Sequence, residues 1–322
     1  MNVMRLVLAL IALAALALAS LFLGVSEVSP LAVLSGTADE KAMLVIWASR
    51  VPRTIALMLA GAGLAVSGTL MQMLARNRFV EPSTAGTVES AGLGMLIALI
   101  VSPTIPVIGK MLFASAFALA GTALFLAILR RIPLRSIVMV PLVGLMLGGV
   151  IYSISAFIAY RLDMMQSLAA FDNGDFSAVL RGRYEILWLA FALTVAAYVA
   201  ADRFTLAGLG EEFSTNLGLN YRRIMTFGLV IVSMVTASVV VTAGVIPFLG
   251  LIVPNVVSMP MGDSLRRTLP WIAILGAGLV LVCDMVGRIV IAPFEIPVGA
   301  VLGVIGSAFF LYLILRRKTR AA

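Results

Sequence analysis

The sequence predicts an all-α integral membrane protein of about ten spanning helices, with both termini in the cytoplasm. Three observations predict it. Hydrophobic residues fill 62% of the 322 positions and charged residues only 12%, about half the charge a soluble domain carries on its surface. The apolar residues come in runs close to the roughly 20 residues that carry a helix across a bilayer core. The remaining charges collect between the runs, and they are shared unequally between alternate gaps.

Taken in order, the candidate spans are 6–24, 54–74, 84–102, 107–129, 137–160, 185–201, 224–242, 245–261, 269–292 and 296–315. The first follows Arg5 and contains Ala17-Leu18-Ala19, which also fits a cleaved secretory leader. Its apolar stretch is long for a leader, so it reads as a span, with cleavage as the alternative. The eighth is interrupted by Pro247, Pro254 and Pro260. A broken helix survives at membrane depth only when it is buried in protein or lines a cavity. Gly144 and Gly148 lie four apart in the fifth span, as do Gly299 and Gly303 in the tenth. Small residues at that spacing let helices pack closely. No run of polar sequence is long enough for a second domain, so residues 1–322 read as one transmembrane unit.

Orientation follows from the basic residues. With the N-terminus inside, 15 of the 23 lysines and arginines fall on the cytoplasmic side and 8 outside, as the positive-inside rule requires. The chain has no histidine and one cysteine, Cys283. It therefore lacks the commonest general base and metal ligand, and it cannot form an intrachain disulfide. No nucleophile–base pairing or metal-ligand cluster is visible, which makes a membrane enzyme the weakest reading. No G-x-x-x-x-G-K-[ST] phosphate loop occurs either. If this chain moves cargo with ATP, another chain handles the nucleotide.

One stretch, GLGEEFSTNLGLNYRR (Gly208–Arg223), is polar in an otherwise apolar chain. Leu209, Phe213 and Leu217 recur every four residues, one face of a short helix. Glu211 and Glu212 occupy its first turn, where negative charge suits the helix dipole. Gly218 is a natural stop, and Arg222 and Arg223 mark re-entry into the membrane. The reading is a cytoplasmic segment over about 204–223 with an apolar ridge. Such a ridge lies on headgroups or docks into a groove of a cytosolic partner, and the two acids favour the partner.

These residues carry a resemblance. Leu209-Gly210-Glu211 with Leu217-Gly218 resembles the L-G-E…L-G coupling segment of the permease subunits of type II ABC importers, the FecCD-like permeases for iron–siderophores, haem and cobalamin. Arg50-Val51-Pro52-Arg53 resembles the family's R-x-P-R. Gln72 to Pro82, within MQMLARNRFVEP, is similar to its M-Q…N-P-L-x-x-P loop. GVIPFLGLIVP (Gly244–Pro254) resembles G-x-I-x-F-x-G-L-x-x-P-H. Asp284 and Arg288 match A-D-x-x-x-R, and Glu295 to Gly299 match E-x-P-x-G. The motifs keep their order from the second span to the C-terminus.

The resemblance implies ten helices per subunit, a second permease subunit (identical or paralogous), two cytosolic ATPase subunits and an external binding protein. It implies no cofactor on this chain, with ATP and magnesium on the ATPase, and no nucleic-acid partner. It assigns ATPase coupling to Leu209, Gly210, Glu211, Glu212, Phe213, Leu217 and Gly218. It assigns binding-protein docking to Arg50, Arg53 and Arg288, and a cytoplasmic gate to Asn77, Arg78 and Phe79. The chain departs from the family at three places. Asn77-Arg78-Phe79 stands where Asn-Pro-Leu is usual, Asn255 stands where histidine is frequent, and Glu89 interrupts a small-polar stretch.

For several residues two readings stand. Arg50 and Arg53 dock a partner through charge pairs or anchor a helix end at the headgroups. Asp284 and Arg288, four apart, are placed for an intrahelical pair. Glu89 costs roughly 3 kcal/mol inside a span, so it belongs to a pathway or is satisfied by neighbouring helices. Tyr152, Ser153 and Ser155 line the pathway, or the serines bond their own backbone. Residues 161–185 form a short helix over the entrance or a solvated loop. The expected function is import of ferric siderophores by alternating access in the inner membrane of a bacterium. The same build serves cobalamin or haem. A rival of another class is a secondary transporter with Glu89 or Asp284 carrying protons.

Overall fold

The computed structural model describes residues 3–24, 39–132 and 138–318, and every regular element among them is helical. In chain order the helices are α1 (Val3–Phe22), α2 (Glu40–Leu74), α3 (Thr87–Val101), α4 (Val107–Leu129), α5 (Met139–Arg161), α6 (Met165–Asp172), α7 (Leu187–Val199), α8 (Ala201–Gly208), α9 (Glu211–Asn216), α10 (Tyr221–Ala243), α11 (Leu249–Met261), α12 (Leu265–Val290) and α13 (Val298–Lys318). Each of the ten apolar runs coincides with one of these. Among the described residues, six helices are long and apolar enough to cross a membrane alone. A seventh span arises if α7 and α8, bent by 66°, are counted together, and α3, α11 and the apolar part of α13 are shorter.

The second span departs from its expected start at 54. Its helix begins at Glu40 and passes through a π-helical stretch, Ile46–Arg50, before Val51. Residues 161–185, left between helix and loop, contain α6.

α2 is the central post. Of its apolar window 83% is buried, against 11% for α1 at the periphery. The reason is in its sequence, GAGLAVSG at 61–68, which offers almost no side chain on two faces. Gly61 meets Gly276 of α12 so closely that a methyl at either glycine would lie 2.5 Å from the other's carbonyl oxygen. Gly68 meets Gly250 of α11 just as closely. Lipid is as apolar as leucine, so membrane helices associate through backbone approach and van der Waals contact. In α5, Gly144 lies against the Thr84 carbonyl and Gly148 against the Glu89 carboxylate; in α13, Gly299 lies against the Asn173 and Val245 carbonyls, while Gly303 makes no close approach.

The break before α11 follows from Gly244 at φ +85° and Phe248 at φ +62°. Within α11, Pro254 lacks the amide that would bond the Gly250 carbonyl. Gln72 Nε2 donates to that carbonyl instead, at 3.3 Å. Three glycines, Gly174, Gly244 and Gly299, bring the chain after α6, the break and the start of α13 together backbone to backbone. The bonds are Asp175 N to Ala243 O at 2.7 Å, Val245 N to Phe171 O at 3.0 Å and Gly299 N to Gly174 O at 3.2 Å.

Candidate functional site

The 201–218 segment lies at the C-terminal end of α2. Leu209, Phe213 and Leu217 are 61%, 50% and 54% exposed, so the ridge read from the sequence is outward-facing. It is not one helix, however. Gly210 sits at φ +118° and separates α8 from α9, so Leu209 precedes the helix and Leu217 caps it. Glu211 and Glu212 occupy the first turn of α9. Gly218, at φ +77°, closes it with a bond from Leu219 N to Ser214 O (3.0 Å) and one from its own amide to Thr215 O (2.9 Å). This is a Schellman turn. The buried Ser214 hydroxyl pins α9 to α8 through Gly210 O (2.6 Å) and Leu206 O (3.0 Å). Thr205 Oγ1 accepts from Leu265 N at 3.2 Å, which ties α8 to the start of α12. The polar face is therefore built onto the bundle.

Beside it runs the loop after α2. Asn77 is buried, and its Oδ1 accepts from Phe79 N at 2.8 Å. Arg78 pairs with Asp263 at 2.6 Å where both are exposed. Phe79 is buried and meets the Phe310 ring edge-on at 5.9 Å. Asn255 Nδ2 donates to Arg78 O (2.9 Å) and Leu251 O (2.8 Å), so the residue standing in for the usual histidine joins α11 to this loop. A cavity of about 480 Å³ opens between them, lined by Gln72, Arg76, Arg78, Thr205, Leu209 and Asp263, among others.

Glu81 ends the loop, and sequence reasoning passed over it. It is 2% exposed. Its carboxylate accepts from Phe248 N at 2.6 Å and from the Ser83 hydroxyl. The signal was present: Glu81-Pro82-Ser83-Thr84 is a capping box with proline at the first position, and both reciprocal bonds form. The partner across the chain was not readable.

A second cavity, of about 340 Å³, brings together Glu89, Tyr152 and Ser155, three of the four expected pathway residues, with Asp172 and Phe171. Tyr152 donates to Asp172 Oδ2 at 3.1 Å. Burial holds Asp172 above the ordinary carboxylate range, and the Tyr152 hydroxyl draws it back. Ser153 lies apart, in a shallow apolar depression with Met146, Val150 and Phe157. Ser153 and Ser155 both bond the carbonyl four residues back, at 2.8 and 3.0 Å.

At the other end of α2 the three arginines are turned inward. Arg53 bonds Asp284 at 2.7 Å and Glu295 at 2.8 Å. Arg288 makes the intrahelical pair with Asp284 (Nε to Oδ2, 2.8 Å) and also donates to Ser20 O and Leu23 O. Arg50 donates to Leu21 O at 2.7 Å. The last carbonyls of α1 have no intrahelical donors. Arginines supply them, with their charge at the negative end of the helix dipole.

The sequence profile of the FecCD transport family matches residues 10–316. The chain is 49% identical over 306 residues to the petrobactin import system permease protein YclN of Bacillus subtilis, covering 95% of this chain and 96% of that one. It is 41% identical over 297 residues to the ferric-anguibactin transport system permease protein FatD of Vibrio anguillarum, covering 92% and 94%. Its fold matches a solved structure described as a metal-chelate type ABC transporter in an inward-facing conformation, with TM-score 0.81, 23% identity and coverage of 97% and 99%.

Proposed function

The chain belongs to the FecCD transport family, and on that premise we propose that it is the membrane-spanning permease subunit of an ATP-driven importer of ferric siderophores. It is a multi-pass membrane protein and a transport component, not an enzyme. The observation that carries the cargo is near-full-length similarity, at 49% and 41% identity, to permeases named for petrobactin and ferric-anguibactin.

In this reading residues 1–322 form one domain of ten spans in a bacterial inner membrane. The six long helices, the bent α7–α8 pair and the three shorter apolar helices make up that number. Both termini lie in the cytoplasm, as the charge asymmetry favours. The 201–218 segment then faces the cytosol, where its exposed ridge, Leu209, Phe213 and Leu217, seats in a cytosolic ATPase that holds ATP and magnesium. Glu211 and Glu212 fix its polar side, while Gly210 and Gly218 set its two ends.

A binding protein docks at the Arg53 end. Arg53, with 12% of its side chain exposed, is the contact; Arg50 and Arg288 hold α1 in place. A second permease subunit completes the pathway. Glu89, Tyr152 and Ser155 line it, and Asn77, Arg78 and Phe79 border its cytoplasmic gate. Cargo crosses as the ATPases close and the coupling segment moves the spans.

The test is ATP-dependent uptake by vesicles holding the assembled transporter, comparing ferric catecholate, ferric hydroxamate, haem and cobalamin. Uptake of a ferric siderophore that stops without ATP is expected. Uptake of haem or cobalamin alone, or uptake driven by a proton gradient without ATP, would overturn the proposal.

A further inference from the structure

Asp284 and Glu81 are the two acids classed as buried among the described residues. Asp284 has its arginines. No ion pair among the described residues reaches Glu81; its partners are backbone amides and a hydroxyl. The Phe248 amide, just ahead of the first turn of α11, donates to Oε1 at 2.6 Å. An amide at that position has no carbonyl acceptor within the helix. A side-chain oxygen reaching across from the loop satisfies it. The approach is close: a methyl on Gly250 would lie 3.0 Å from Glu81 Oε2.

This clamp is the last of a series. Glu81 meets Phe248, the Arg78 carbonyl meets Asn255, and the Arg78 side chain meets Asp263. The loop and α11 thus run antiparallel and are tied at the start, middle and end of the helix. Where the 201–218 segment approaches this pair, Arg76 reaches over Gly210, and Thr205 bonds Leu265 just beyond α11.

We infer that Glu81 is a positioning residue: it clamps the loop after α2 to the break before α11, so that loop and broken helix move as one body when the coupling segment is displaced. The inference rests on the importer reading. It depends on the reach of Glu81 and on the oxygen that accepts from Phe248 N. Asp has the charge but is one methylene shorter. Gln has the reach and keeps one acceptor oxygen.

The experiment uses the assembled transporter in vesicles and measures siderophore moved per ATP hydrolysed for wild type, Glu81→Gln and Glu81→Asp. Glu81→Gln is expected to stay within about twofold of wild type. Glu81→Asp is expected to lose about tenfold in cargo per ATP, with ATP hydrolysis within twofold. The reverse order would assign the residue a charge role and overturn the inference. So would two unchanged ratios. A parallel fall in hydrolysis and uptake, or loss of the assembled complex in both variants, marks a folding role and also overturns it. Failure of wild type to take up any ferric siderophore would instead reject the importer reading.

Discussion

α2 carries two opposite designs at its ends. Its Val51–Leu74 part has 24 residues, about 36 Å of helix. At the Arg53 end the charges are partnered within the fold: Arg50, Arg53 and Arg288 bond Asp284, Glu295 and the last carbonyls of α1. Beyond Leu74, Arg78 and Asp263 are exposed beside a cavity of about 480 Å³, and an apolar ridge stands in the open. Stability and movement are placed at opposite ends of this helix. Removing a member of a buried charge cluster is costly, whereas a ridge whose residues are at least half exposed can be altered without touching the fold.

The largest expected effect breaks the closed end. Asp284→Leu leaves the buried Arg288 without its carboxylate and Arg53 with Glu295 alone. An uncompensated buried charge costs about 3–5 kcal/mol, so the thermal midpoint of the purified subunit should fall sharply. A midpoint like that of wild type would show that the cluster is not holding α1 and α12 together.

Next comes the open end. Replacing Glu211 and Leu217 together by alanine should cut cargo moved per ATP by about tenfold, the scale of losing an interface anchor, with the thermal midpoint unchanged. A drop in midpoint would make the ridge structural and erase the contrast.

A smaller effect is expected between the two ends. In Gly148→Ala the new methyl would lie 3.1 Å from the Glu89 carboxyl carbon. Overpacking of this kind costs about 1–3 kcal/mol, and uptake should slow several-fold if that carboxylate lines the pathway. The smallest effect belongs to Arg78→Ala. Its pair with Asp263 is exposed on both sides, so stability should change by less than about 1 kcal/mol in a thermal melt.

The two ends were not equally legible in the sequence. The ridge was, because a period of four and the glycine stops are local signals. Only the break at Gly210 was missed, since its φ of +118° has no sequence signature beyond the glycine itself. The apolar runs gave the helices for the same reason. The i to i+4 pair of Asp284 and Arg288 was foreseen from spacing. The Arg53–Asp284 pair joins residues 231 positions apart, and Glu81 to Phe248 spans 167. Such contacts are decided by how glycine faces of α2 seat against α11 and α12, which periodicity does not encode. Spacing likewise gave no sign that Arg50 and Arg288 bond the end of α1 or that Arg53 bonds Asp284 and Glu295.

The central claim is that the 201–218 ridge is a handle on the cytoplasmic side. It is tested most directly by placing a single cysteine at Phe213 (Phe213→Cys, with the buried Cys283→Ser) and treating cells with a membrane-impermeant maleimide. The account predicts no labelling in intact cells, labelling once the inner membrane is opened, and protection when the ATPase is bound. Labelling from outside intact cells would contradict it.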